Sequence, residues 1–250
     1  NPEHDGLTAQ GWNWTLADAK TYVTAHGFLD IGQMYITSDG KTRIWIEIPS
    51  GTPASRLTFY LYLGESEDGG VTVHWGDEDT TTLSGTGSAL YSHTYAEPGS
   101  YEIAIEVTDG TLLLNGSSTY SLFGESANAS SNHCNATRIR RIALGANVSS
   151  LGDYMLNNCA GLESISLPRG LSIGSNTFAA CGGLQFVAIP TGNTQLNPYA
   201  SRNCVRLTHL SLPTGILGLG NYSMNGCKSL VQCAVPETVT TLSGNVFQGC

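Results

Sequence analysis

Residues Cys159 to Cys181 read CAGLESISLPRGLSIGSNTFAAC, opening and closing on cysteine. More cysteines follow at 204, 227 and 250, so the steps are 22, 23, 23 and 23. Aligning the chain on these cysteines brings other columns into register. Leu151, Ile173, Leu196, Leu219 and Leu242 stand eight residues before a cysteine. Leu156, Phe178, Ser201, Met224 and Phe247 stand three before. Leu162, Leu184, Leu207 and Leu230 stand three after, and Ile165, Val187, Leu210 and Cys233 six after. Leu167, Ile189, Leu212 and Val235 stand eight after, each followed by proline. An earlier copy fits Ile139, Ile142 and Leu144, with Gly145 in place of the proline. A fixed period of this length is the mark of a repeat architecture.

Within the consensus L-x-x-I-x-L-P, the last two apolar positions alternate, which predicts a short strand. Proline ends that strand because it cannot donate to a ladder. One repeat cannot bury its own apolar face, whereas stacked repeats form a continuous core with strands about 4.8 Å apart. The pattern resembles the BspA-like type of leucine-rich repeat over about residues 136–250. In the third repeat Ser201 replaces the aromatic and Asn197-Pro198 the usual glycine, so a local irregularity is expected there.

The repeat also accounts for the cysteines. Each occupies an inward column, where side chains of one column point the same way. A disulfide needs its Cβ atoms near 3.8 Å, and free cysteine is among the most buried residue types. A ladder of buried, unpaired thiols is therefore expected. The spacing is not that of a zinc site, and Cys134 lies outside the columns and is expected to be exposed.

Composition divides the chain in two. Charged residues are only 12% of its 250 residues. Residues 1–130 carry a net −13 and residues 131–250 a net +4, giving the overall −9. The acidic balance leaves no phosphate-neutralising surface, so nucleic acid is not an expected partner. No apolar run reaches the roughly 20 residues of a membrane span.

The acidic half alternates with period 2 in RIWIEIP (43–49), LTFYLYLG (57–64), VTVHWGDE (71–78), SALYSHTY (88–95) and SYEIAIEVTDG (100–110). Short strands separated by Gly, Pro, Asp and Ser predict a β-sandwich. HWGDE at 74–78 followed by HTYAEPGSYEIAIEVTD at 93–109 resembles the polycystic kidney disease (PKD) domain, with Glu78 where that family has glycine. The resemblance implies an Ig-like sandwich outside cells, a spacer or docking module without catalytic activity, with Trp75 in its core. Asp77 and Asp79 are candidate calcium ligands, but two carboxylates are too few for a full calcium shell, so a solvated turn is the favoured expectation there, with no metal and no cofactor.

The fold class expected is thus β-rich: an Ig-like (PKD-like) β-sandwich, then a leucine-rich-repeat solenoid with repeats of about 23 residues. The divisions are 1–40, a helical segment; 41–125, the sandwich; and 126–250, the solenoid, with a junction or cap at 126–138. Within the first, TLADAKTYVTAHG (15–27) predicts a helix, capped near Thr15 and Asp18 and ended by Gly27.

No catalytic constellation is expected. Gly170-Leu-Ser-Ile-Gly174 matches G-x-S-x-G, but that motif requires a strand before it and a helix after it, and here Ile173 and Gly174 are repeat columns. His133 beside Cys134 has no identifiable partner, and His74 and His93 read as strand positions. What remains is surface. Alternate strand positions face outward, giving one row of Arg141, Ser164, Phe186, His209 and Gln232, and a second of Ala143, Ser166, Ala188, Ser211 and Ala234. The candidate ligand-binding residues are Arg141, Phe186, His209 and Gln232. The BspA-like resemblance implies a secreted or cell-surface bacterial protein adhering to host matrix proteins or glycans. The alternative is a non-binding structural spacer or display module of a cell surface or phage particle. Because the chain stops inside a repeat, further sequence or self-association through the open C-terminal repeat is expected to cover that end.

Overall fold

The structure, a computed structural model, describes residues 39–53, 56–65, 70–83, 87–114, 122 and 134–250. The helix expected at 15–27 and His133 lie outside the described residues, as does the side chain of Cys134.

The described residues of the first half form seven strands: β1 (Thr42–Ile48), β2 (Thr58–Glu65), β3 (Val71–His74), β4 (Thr80–Thr82), β5 (Gly87–Thr94), β6 (Gly99–Val107) and β7 (Leu112–Leu113). β1, β6, β3 and β4 pair in that order, all antiparallel. β5, β2 and β7 form a second antiparallel sheet. Period-2 alternation sends Ile44, Ile46 and Ile48 of β1 inward with Ile103 and Ile105 of β6. Phe59, Leu61 and Leu63 of β2 bury their side chains in the same cluster. Trp75 and Tyr95 fill its largest volumes. Tyr95 donates its hydroxyl to the Trp75 carbonyl at 2.9 Å, so the polar tip of a buried ring is satisfied. The short β4 and β7 were not legible as strands. β4 is a run of three threonines after the turn, and β7 is only two residues long.

The second half begins with α1 (Cys134–Arg138), one short turn of helix, which leads directly into β8 (Ile139–Ala143). β8 is the first repeat strand, and it pairs antiparallel with β1. On its other side it pairs parallel with β10 (Ser164–Ser166), the next repeat strand. The two halves therefore share one six-stranded sheet, in the order β10-β8-β1-β6-β3-β4. Their apolar residues form one cluster.

Each later coil repeats two short strands. Next to β10 on the same side of the coil stand β12 (Phe186–Ala188) and β14 (His209–Ser211), which pair in parallel as a separate two-stranded sheet. On the other side of the coil run β9 (Ser150–Leu151) with β11 (Ser172–Ile173), and β13 (Gln195–Leu196) with β15 (Gly218–Leu219) and β16 (Thr241–Leu242). The aligned columns are the core: Leu162, Leu184 and Leu207 are fully buried, as are Leu156, Phe178 and Met224. The turn before each cysteine carries two left-handed residues. One column is Tyr154, Asn176, Tyr199, Tyr222 and Asn245, and the other Asn158, Ala180, Asn203, Gly226 and Gly249.

The third repeat is not irregular. Tyr199 and Asn203 hold φ of 59° and 59°, like their counterparts in the other coils. Asn197 stands in the glycine column and donates its side-chain amide to the Ile173 carbonyl at 2.6 Å. The departure is confined to packing, where Ser201 leaves a buried hydroxyl without a hydrogen-bond partner in the aromatic column.

Cys159, Cys181, Cys204 and Cys227 are free and buried. Within the 23-residue column, each Sγ from Cys181 onward donates to the carbonyl three residues before the column's preceding cysteine. Cys181 reaches Leu156 at 3.1 Å, Cys204 reaches Phe178 at 3.0 Å, and Cys227 reaches Ser201 at 3.1 Å. Cys233 is partly buried with its Sγ 3.8 Å from the Met224 sulfur, and Cys250 is exposed.

Candidate functional site: the outer face of the shared sheet

Residues opposite one another in a ladder lie on the same face of the sheet. The first outward row thus falls into two in-register pieces, one on β8 and β10 and one on β12 and β14. Arg141 pairs with Ser164, Phe186 with His209, and His209 with Gln232. Backbone bonds step along beside it: Glu163 N–H to Arg140 C=O at 2.8 Å, Gln185 to Glu163 at 3.4 Å, Thr208 to Gln185 at 2.9 Å and Val231 to Thr208 at 2.9 Å. Arg141 and Gln232 are exposed, and Phe186 and His209 half-buried. Phe186, His209 and Gln232 are brought together directly, and Arg141 stands apart from them beyond Ser164. The second row is less open than its small side chains suggest. Ala143, Ser166 and Ser211 are buried, leaving Ala188 and Ala234.

The row does not stop at the first repeat. Arg141 lies opposite Trp45 of β1, and Trp45 opposite Glu102 of β6. Arg43, Trp45 and Glu47 are the outward residues of β1, so the solenoid face runs on into the outer face of the first half.

Between Trp45 and Ile46 the register with β8 shifts: Trp45 pairs with Arg141 but Ile46 with Ile139. Arg140 is the extra residue of a β-bulge, a device that re-aims side chains. Arg140 donates from Nε to Glu47 Oε2 at 2.9 Å, and Glu47 is an outward residue. Two consecutive arginines thus serve one face. Beside them opens a cleft of about 430 Å³, lined by Trp45, Glu47, Glu102, Arg140, Arg141 and Glu163 among others.

Ion pairs fix this surface. Arg43 bridges Asp39, at 2.7 Å, and Glu102. Trp45 donates its indole N–H to the other oxygen of Glu102 at 2.9 Å, which orients the ring. Farther along, Lys41 and His74 both reach Glu106, at 2.7 and 3.3 Å. These bonds hold the Glu106 carboxyl below its ordinary range, the Lys41 bond most and the His74 bond next.

Sequence reasoning missed the cleft. Its available signal was a tryptophan alternating with charges on the polar face of RIWIEIP. Its invisible part was the pairing of β1 with β8.

A second cluster joins Asp77, Asp79 and His93. His93 faces inward opposite Phe59, stacks on Trp75 at 5.1 Å and hydrogen-bonds Asp77 at 2.7 Å. The Asp77–His93 bond ties the turn after β3 to β5. Two carboxylates and one imidazole fall short of the six to eight oxygens of a calcium site.

A parallel two-ladder coil of about 23 residues, with apolar residues in its inward columns except at Ser201, defines a leucine-rich-repeat solenoid of about four turns. Residues 128–250 match the family described as BspA type Leucine rich repeat region, in six copies. Such repeats are typically surface or secreted protein-interaction modules.

Solved structures similar to the chain include a leucine-rich repeat protein of T. pallidum, at 23% identity and a TM-score of 0.39, covering 41% of this chain and 50% of that one. Another comes from Bacteroides ovatus, at 24% identity and a TM-score of 0.38, covering 45% of this chain and 35% of that one. A third, from Eubacterium ventriosum, has 18% identity and a TM-score of 0.28, and covers 56% and 48%. The matches span about half or less of those chains. No curated protein matches the chain. Among the described residues no helix is long and apolar enough to cross a membrane.

Proposed function

We propose that this chain is a secreted or cell-surface bacterial binding protein that adheres to host matrix proteins or glycans through the outward strand face of its repeats. The observation that carries this reading is the in-register row Phe186–His209–Gln232, with a second in-register row, Ser164–Arg141–Trp45, on the neighbouring six-stranded sheet. A rigid ladder presents these side chains at fixed spacing, which lowers the ordering cost of binding. Aromatic and arginine side chains are the usual anchors of an interface. The first half reads as a PKD-like module, on the strength of the buried Trp75 and the Tyr95 bond to its carbonyl. In this reading it extends the binding face.

The test is a binding assay of the whole chain against immobilised collagen, fibronectin, laminin and mucin. A Phe186→Ala/His209→Ala variant with unchanged melting should lose roughly ten-fold or more in affinity, the scale of one or two anchor residues. Full binding by that variant would remove the row from the reading. Silence of the wild-type chain on every surface would favour a spacer.

A further inference from the structure

The cleft at the junction of the two halves has a chemistry of its own. We propose that it is a binding site for a short neutral oligosaccharide. This deepens the adhesive reading by naming a ligand class for one part of the face, and it rests on that reading.

Charge comes first. The cleft and its immediate ion pairs hold Arg43, Arg140 and Arg141 against Asp39, Glu47, Glu102 and Glu163. The signs nearly cancel. A phosphorylated or sulfated ligand finds carboxylates beside Arg43 and Arg140, and a polycation finds arginines beside Asp39, Glu47 and Glu102. A neutral ligand meets neither repulsion. The arrangement also sets guanidinium donors next to carboxylate acceptors, as where Arg140 meets Glu47 at 2.9 Å. A sugar's adjacent hydroxyls each donate and accept, so they match such side-by-side partners, and charged partners make the stronger hydrogen bonds.

The aromatic group comes second. Trp45 is half-buried on a strand whose other outward residues, Arg43 and Glu47, are charged. Its indole N–H is bonded to Glu102 at 2.9 Å, so the ring is held before any ligand arrives. A pyranose ring has an apolar C–H face as well as its hydroxyl rim, and an oriented indole flanked by charged groups meets both. The cleft volume, about 430 Å³, is that of a small-ligand site rather than of a protein interface. The bulge at Arg140 builds the site, since regular alternation would turn one of the two arginines away. An open cleft of this size suits weak binding, with Kd on the order of 0.1–1 mM.

The experiment is saturation-transfer NMR and calorimetry on the whole chain. The probes are neutral di- and trisaccharides built from glucose, galactose, mannose and N-acetylglucosamine. Heparin and short acidic and basic peptides serve as the competing classes. The expected result is a signal from at least one neutral saccharide and none from heparin. That signal should fall ten-fold or more in Trp45→Ala and in Glu163→Ala, the second being an exposed residue whose loss leaves the strand pairing intact. Silence from every neutral saccharide overturns the proposal, as does a response to heparin or peptides alone. Saccharide binding that survives both substitutions also overturns it. The matrix-protein assay with the Phe186/His209 variant reports on the row by a different ligand, so the two readings fail separately.

Discussion

Trp45 and Arg141 stand opposite one another across the β1–β8 ladder, one from each half of the chain. That pairing makes the first repeat strand a member of the first half's sheet. In repeat proteins a terminal coil must be capped, because its open face exposes core and strand edge. Here β1 occupies that edge. The acidic half is therefore the structural cap of the solenoid's N-terminal strand, as well as an extension of its outer face.

The junction is tight enough for a single methyl group to test it. A Cβ on Gly145 would lie 2.1 Å from the Gly40 carbonyl oxygen, and the Gly145 N–H donates to Thr42 Oγ1 at 2.9 Å. Backbone cannot rotate aside as a long side chain can. Gly145→Ala should destabilise by about 1–3 kcal/mol, the usual cost of overpacking. Gly215, whose added Cβ meets nothing within 4 Å, is the control, and Gly215→Ala should stay within about 0.5 kcal/mol. Urea melts of the three proteins decide it, and equal midpoints would mean that the two halves are only loosely joined.

Arg138 makes the second link. It is buried in α1, and its guanidinium donates to the Thr58 carbonyl at 3.2 Å and to the Arg56 carbonyl. These carbonyls lie at the start of β2, so one side chain ties the solenoid's first turn to the second sheet. Hydrogen bonds from a charged donor contribute about 1.5–3 kcal/mol, and Arg138→Ala should lose about that. Arg138→Lys should recover only part, since an ammonium lacks the fork that spans two carbonyls. Thermal melts showing full recovery by lysine would mean that charge alone is needed there.

Much of this fold was legible in the sequence, and for one reason. Burial alternates locally, so Ile44, Ile46 and Ile48, or Leu162 with Ile165, reveal which face is inward without knowledge of the partner. Pairing across distance leaves no such trace. Nothing in RIWIEIP says that its far neighbour is Ile139–Ala143, ninety-odd residues on, so Trp45 read as one more outward residue. The candidate row was legible because its members recur at the repeat spacing. The cleft was not, because it is assembled from β1, β6 and β8 and depends on an irregularity at Arg140.

At the position just before the cysteine, the turn ahead of Cys181 carries strain that the other coils avoid there. Ala180 has φ of 60°, in a column where the other residues are Asn158, Asn203, Gly226 and Gly249. Asparagine and glycine tolerate the left-handed region, and alanine pays about 1–2 kcal/mol for it. Ala180→Gly should raise stability by about 1 kcal/mol, once the extra freedom of glycine in the unfolded chain is offset. Asn203→Ala, the reverse change one coil later, should lower it. Opposite shifts in the urea midpoint are the expected outcome, and two shifts of the same sign would rule out backbone strain as the cause.

The thiol ladder makes stability depend on pH at the alkaline end. Burial pushes the thiols of Cys181 and Cys204 up, and the neighbouring thiols add to the shift. Burial, helped by the Cys250 thiol, raises Cys227 to about 12 and Cys233 to about 11. In the unfolded chain a thiol ionises near 8.5. Between these values the folded state holds protons that the unfolded state has released, so stability falls as pH rises. The stabilisation is complete below about pH 8.5 and declines above it by about 1.4 kcal/mol per pH unit for each such thiol. For Cys233 the loss runs to about pH 11 and for Cys227 to about pH 12. Urea midpoints measured at pH 7, 8, 9 and 10 should be level over the first two points and drop steeply over the last two. Cys204→Ala should flatten that drop while lowering the midpoint at pH 7, because it leaves a small cavity. A midpoint constant to pH 10 would mean that the column is not made of buried free thiols.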